Sequence, residues 1–278
     1  MRCLALFLLL APFASVVGQT DPDTKTTLRS ARELLLSRDF DKAQNLCTQV
    51  LKADPKNIEA LALRAQTFVG ARKPLDAVAD FTRLIELEPM NANAVDARGG
   101  EYFKAGKIAE SVADFDRFLA VRPVEANGHW RRGISLYYAG KFEAGRDQFR
   151  GYEKVDTNDV ENAVWHFLCN ARLIGVEKAR GEVLKIGKDG RVPMMEVYAL
   201  FQGKARPEDV LAAATAGNPP AARRDVQLFY AHLYLGLHAE VTGDAKKTRE
   251  HLTEAAKLRI AHYMGDVAVV HLGLLPKP

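Results

Sequence analysis

Few residues in this chain are of a type and spacing that would act on a substrate. Seven histidines are present, but neither His-Glu-x-x-His nor Cys-x-x-Cys occurs, the spacings that gather zinc ligands. His232 and His238 fall six apart on one expected helix, which at about 3.6 residues per turn puts them on different faces. No Gly-x-Ser-x-Gly elbow and no Gly-x-x-x-x-Gly-Lys-Ser/Thr phosphate loop is found. Gly187-Lys-Asp-Gly190 reads as turn chemistry. The expectation is a protein that is not an enzyme, with no catalytic residue, no cofactor and no metal.

The charged residues that do recur are arginines. Arg64, Arg98 and Arg132 follow one another at equal spacing, and Asp80 and Asp114 trail the first two by a fixed interval. One reading is an arginine row for an anionic ligand. The other is a set of locks between paired antiparallel helices, Arg64 with Asp80 and Arg98 with Asp114. The lock is the better reading, because a charge near a core needs a partner. Gln148 stands where a third acid would, and its amide oxygen still accepts a hydrogen bond from Arg132.

The elements that must hold these residues repeat with a period of 34, the mark of a stacked helix-turn-helix array. Leu63-Arg-Ala65, Phe68, Ala77, Asp80-Phe81 and Glu88-Pro89 recur as Ala97-Arg-Gly99, Tyr102, Ser111, Asp114-Phe115 and Arg122-Pro123. Frames start at about 24, 58, 92 and 126. Their eighth positions hold Ala31, Ala65, Gly99 and Gly133. Their twenty-fourth hold Cys47, Phe81, Phe115 and Phe149. Small residues facing large ones at fixed offsets are what interlocking helices require. Gly106-Lys107 and Gly140-Lys141 supply the turns between paired helices.

Residues 1–18 stand outside this pattern. Arg2 is followed by an almost wholly apolar run from Leu4 to Val17, with Val16 and Gly18 where small residues precede a cut. This reads as a secretory leader, with Gln19 as the mature N-terminus. The run is short for a membrane span of about 20 residues. The expectation is an exported protein, periplasmic or secreted, with no membrane span after cleavage. Loss of Arg2 lowers the formal charge from +4 to +3, which points to neither nucleic acid nor an acidic surface. Cys3 leaves with the leader and precedes the apolar run, so it is not placed for lipid attachment. Cys47 and Cys169 are expected to pack as small apolar side chains.

The register weakens after 159. A helix is expected from Val160 to about Gly175, helix formers continue over 176–186, and two shorter helices follow at Met194–Phe201 and Pro207–Ala214. Gly217-Asn-Pro-Pro220 is a break. A frame starting at 229 restores the pattern with Leu235-Gly236, the Gly243 turn and Leu252. A last helix, about Ala261 to Leu274, would cap the array through Met264, Val267, Val270 and Leu274. The expected division is a leader at 1–18, an N-terminal array at 19–159, degenerate helical repeats at 160–228 and a C-terminal repeat with its capping helix at 229–278.

The frames resemble the tetratricopeptide repeat over about 24–159 and 229–262. The resemblance implies an all-α fold, a right-handed α-α superhelix. The order of segments, with Glu196-Val-Tyr-Ala-Leu-Phe-Gln-Gly203, Pro207-Glu-Asp-Val-Leu211 and the return at Phe229-Tyr, is similar to the bacterial NlpI-type tetratricopeptide proteins. That implies an envelope scaffold or adaptor, homodimers, and partners such as an envelope protease or a peptidoglycan enzyme. This chain departs from that type in having no acylation cysteine.

In this repeat class the first helix of each pair lines a concave groove. Carried onto this chain, that places Asn93, Asp96, Phe103, Asn127, Trp130, Arg131 and Tyr137 in a groove for a protein or peptide. Asparagines can bond an extended backbone, and aromatic and arginine anchors dominate such contacts. The carboxylate clamp of some members is not expected: of its positions only Arg131 matches, with Ala62 and Asn127 where lysines would stand and Gln66 where an asparagine would. Trp165 reads either as core or as part of a second binding face. The competing reading of the whole chain is a structural homodimer built on its terminal helices, with no groove ligand.

Overall fold

The computed structural model describes residues 22–276, so the leader read at 1–18 lies outside the described residues. Four antiparallel helix pairs come first: α1 (Pro22–Leu36) with α2 (Phe40–Ala53), α3 (Ile58–Gly70) with α4 (Pro74–Leu87), α5 (Ala92–Lys104) with α6 (Ile108–Val121), and α7 (Trp130–Tyr138) with α8 (Phe142–Tyr152). Then come α9 (Val160–Ile174), α10 (Val176–Arg180), α11 (Met194–Phe201), α12 (Pro207–Thr215), α13 (Ala221–Val241), α14 (Ala245–Lys257) and α15 (Tyr263–Leu274). No strand occurs among the described residues.

Caps explain where the helices start. Asn57 accepts from Ala60 N and Asn91 from Ala94 N, each at 3.0 Å, satisfying an amide the helix leaves orphaned. One period further on stands Glu125, which does not cap. The chain makes a short 3-10 turn there (Pro123–Glu125), and α7 starts only after His129, whose Nδ1 accepts from Arg132 N at 3.2 Å. The turn inside each pair needs one left-handed residue. Gly106 and Gly140 supply it at φ 72° and 71°, and Arg38 and Arg72 take the equivalent strained conformation in the first two pairs.

Packing within pairs follows the small-against-large pattern. A Cβ added to Gly99 would lie 2.9 Å from the Phe115 ring, and one on Gly133 would lie 2.6 Å from that of Phe149. Burial pushes the unpaired Cys47 and Cys169 thiols up, to about 11 and about 12.

The arginines act as locks, and they reach further than one pair. Arg64 donates to both Asp80 oxygens at 2.8 and 2.7 Å and to Thr48 Oγ1 on the preceding α2 at 3.1 Å. Arg98 repeats this with Asp114 at 2.7 and 2.8 Å and Thr82 at 3.0 Å. Arg132 bonds Gln148 at 3.0 Å and Asp116 at 2.6 Å. Each guanidinium therefore joins its own pair and ties that pair to the one before. Asp80 and Asp114 are buried, where an unpaired carboxylate would cost about 3–5 kcal/mol.

Beyond α8 the period is lost. Residues 181–193 are irregular rather than helical. Their backbone is held by side chains: Tyr198 Oη donates to Leu184 O and accepts from Ile186 N, and Asn158 Oδ1 accepts from Lys188 N. Helix α13 begins directly after Pro220, earlier than the frame at 229, and runs for 21 residues. The expected contact of that frame is present, with Gly236 against Leu252. Helix α15 buries Met264, Val267 and Val270 as expected, while Leu274 is exposed. It packs on α14 and also returns to α5. Arg72 Nη2 donates to Ile260 O at 3.1 Å, joining residues 188 apart.

Candidate protein-binding groove

The return of α15 decides how much of the expected groove is open. Phe103, on α5, is fully buried. Tyr263 of α15 stacks on it at 5.3 Å, and Tyr138 meets its edge at 5.5 Å. Tyr137 is buried as well. Its hydroxyl donates to Glu240 Oε2 at 3.2 Å and accepts from Arg172 Nη2 at 3.2 Å. Burial, with the Glu240 charge adding to it, holds that phenol well above its ordinary value. These two aromatics, read as groove residues, are covered by the chain's own α13 and α15. Their work is to close the array on itself.

Four of the other five come together. Asp96, Asn127, Trp130 and Arg131 line one cavity of about 430 Å³, with Val124 and Lys154 on its rim. Asp96 receives His129 Nε2 at 2.9 Å, and Arg131 pairs with its other oxygen. Because His129 Nδ1 already accepts from a backbone amide, the ring proton sits at Nε2. Burial works to raise the Asp96 carboxyl, and the His129 hydrogen bond and Arg131 charge outweigh it, holding the group below the usual carboxylate range. The Arg131 guanidinium lies 5.5 Å from the Phe115 ring centre. Asn127 precedes α7 and is exposed in the turn, because the helix starts late. Asn93 is exposed on α5 and does not line the cavity.

Trp130, the first residue of α7, separates this cavity from a second of about 370 Å³. Its ring meets Tyr263 edge-on at 5.2 Å. The second cavity is walled by Trp130, Trp165 and Tyr230 and bears Asp159, Glu161 and Arg191. Trp165 is a core residue, 1 % exposed, whose ring also touches this cavity. Sequence reasoning missed Arg191 altogether. It pairs with Asp159 at 2.7 Å, Glu161 at 2.5 Å and Asp189 at 2.6 Å. The signal available was the close pair of acids at the start of α9, one of them its N-cap.

Neither cavity assembles a metal centre: among the described residues no three or more His, Cys, Asp or Glu side chains are placed to hold a metal ion. No helix among them is long and apolar enough to cross a membrane.

A solenoid of antiparallel helix pairs with a concave face is a helical-repeat scaffold. The tetratricopeptide repeat model matches residues 97–159, and the fold of the described chain is that of a tetratricopeptide-repeat solenoid. Solved structures of the class align along it. A tetratricopeptide repeat protein from Parabacteroides merdae superposes with a TM-score of 0.58 at 11% identity, over 92% of this chain and all of its own. MamA protein gives 0.53 at 18% identity, over 65% of this chain and 92% of its own. The C-terminal part of a repeat protein from Cytophaga hutchinsonii gives 0.53 at 13%, over 87% and 99%. At these identities the likeness is one of fold. No curated protein matches the chain.

Proposed function

We propose that the chain is an exported, non-enzymatic scaffold and that a protein segment docks in the cavity bounded by Asp96, Asn127, Trp130 and Arg131. The supporting observation is that α15 fills the concave face beside Phe103 while leaving this cavity open, with a tryptophan and an arginine at its wall. Aromatic and arginine side chains are the usual anchors of protein contacts. Here they are held ready: Arg131 is fixed by Asp96, and Trp130 is braced by Tyr263. A side chain already ordered loses little entropy when a partner arrives.

The docking test is site-specific photo-crosslinking from Val124, which is 89 % exposed at the cavity rim. Residues 19–278 carrying the crosslinker should capture a discrete partner from an envelope extract. Adding Asn127→Trp, which fills the cavity from an exposed position, should abolish it. The same product with and without that substitution would refute docking there. Export is the reading of the leader at 1–18, and by resemblance the partner is an envelope protease or a peptidoglycan enzyme. N-terminal sequencing of the protein recovered from the envelope or medium should begin at Gln19. A cytosolic product beginning at Met1 would overturn export.

A further inference from the structure

The second cavity has a chemistry of its own. Asp159 and Glu161 both line it, and a third carboxylate, Asp189, stands behind them. Arg191 is the one cation paired with all three among the described residues. Three acids share one guanidinium, so the site carries an excess of negative charge in partly buried surroundings. Burial pushes the Asp159 and Glu161 carboxyls above their ordinary values even though Arg191 pulls them down. Arg191 thus sets one positive charge against three carboxyls.

The walls fit an organic cation better than a metal ion. Trp130 and Tyr230 present ring surface to the cavity, Trp165 being almost wholly buried, and such faces attract ammonium and guanidinium groups. Arg191 already uses one, lying 6.0 Å from the Tyr230 ring centre. Two buried polar atoms are also without a partner. Asn162 is 4 % exposed; its Nδ2 donates to Phe149 O at 2.9 Å, which leaves Oδ1 as an unused acceptor. Trp165 Nε1 is an unused donor. Buried polar groups are normally satisfied, and both of these belong to residues that line the cavity.

We propose that this cavity receives a basic side chain, arginine or lysine, from a peptide segment, held against the Trp130 and Tyr230 rings and the Asp159 and Glu161 carboxylates. The proposal rests on the scaffold reading for the nature of the bearer.

The chain has two tryptophans, and both line this cavity; Trp165 lines this one and not the neighbouring docking cavity, so its indole N–H resonance distinguishes the two, while that of Trp130 senses both. The test titrates the protein with acetyl-Gly-Arg-Gly-amide, with its lysine analogue, and with the neutral citrulline analogue of the arginine peptide. The indole signals should shift saturably with at least one basic peptide, with a dissociation constant on the order of 1 mM, and not with citrulline. Asp159→Asn should weaken binding by about tenfold while keeping the α9 cap, since asparagine caps as well as aspartate. Glu161→Gln gives an independent check, because its amide oxygen can still accept from Tyr234 Oη. No shift with either basic peptide, or an equal shift with citrulline, overturns the proposal. If that happens while Val124 still crosslinks a partner, the scaffold reading stands and this pocket alone falls. If the indoles shift and the crosslink fails, the pocket stands without the neighbouring docking cavity.

Discussion

In α1–α8 a single device joins neighbours and recurs with the sequence period; in α9–α15 that device is absent among the described residues, and only the α13–α14 pair keeps the small-against-large contact. The first half has separate small clusters of apolar residues. One gathers Leu28, Cys47 and Leu61, and the next Phe68, Phe81 and Phe118. An arginine lock bridges each joint. The second half has one continuous core that runs from Phe103 through Trp165 and Phe201 to Val267. A repeat array with local joints should behave as coupled neighbours, each able to loosen without the rest. A single core that closes back on α5 should open only as a unit. The difference shows why the groove is only partly open: the half without a repeat device obtains its burial by folding onto the half that has one.

The largest effect expected is for Trp165→Ala. This ring is 1 % exposed, lies 6.2 Å from Phe149 in a stacked arrangement and 5.4 Å from Tyr137 edge-on. Its loss should cost about 4 kcal/mol. Hydrogen exchange should show protection lowered together from α9 to α15, and in α5 and α7 against which they close. A loss confined to α9 would break the comparison.

Next is Asp80→Ala, which leaves the half-buried Arg64 guanidinium with only Thr48 as a hydrogen-bond partner. The expected cost is about 3 kcal/mol. The exchange pattern should differ from that of Trp165→Ala. Protection should fall in α1–α4 while α9–α15 keep theirs, and denaturation should become broader as the first pairs melt separately. One sharp transition involving the whole chain would show that the first half is no more modular than the second.

What was legible in the sequence divides along the same line. The Arg64–Asp80 and Arg98–Asp114 locks, the Gly99 and Gly133 contacts and the Gly turns could be read because each depends on residues a fixed offset apart. The contacts of Arg64 with Thr48 and of Arg98 with Thr82 obey an equally fixed offset, but backwards into the preceding pair. An expectation confined to the pair does not contain them. The 34-residue frame puts Asn127 on a helix face, but Glu125 stands where the capping asparagine would, and the helix starts only at Trp130. Phe103 and Tyr137 were read as open groove. Nothing near them in sequence announces that Tyr263 and Glu240 will cover them. Helix α15 carried the hint: Met264, Val267, Ala268, Val270 and His271 are all buried, which is more than capping one neighbour requires.

A pH experiment sharpens the comparison inside the second half, where burial has left polar groups unpaired. His166 is fully buried in α9, and neither ring nitrogen has a partner. Burial, followed by the charges of Arg150 and Arg146, lowers its pKa to about 4 from the ordinary 6.5. Below about pH 6.5 the unfolded chain takes up a proton that the folded chain refuses until about pH 4. Stability is therefore lost as pH falls through that window, by about 2 kcal/mol at pH 5. His166→Leu removes the linkage. Its stability relative to the parent, from urea midpoints, should rise by that amount between pH 7 and pH 5. A difference that does not change with pH would mean that His166 is charged or solvated in the folded protein.

The smallest effect tests whether the locks act between pairs as well as within them. Thr82→Val keeps the shape of the side chain on α4 and removes the hydroxyl that accepts from Arg98 Nη1. Because Arg98 keeps both bonds to Asp114, the lock within its own pair survives. Only the tie to the preceding pair is cut, at about 1 kcal/mol. The same substitution at Thr48 should cost a similar amount. The two should add, since the threonines bond different arginines and share no partner. Together they should uncouple α3–α4 from its neighbours, seen as a less cooperative melt of the first half at little total cost. If the double variant melts as sharply as the parent, coupling between pairs resides in the apolar clusters, and the arginines serve their own pairs alone.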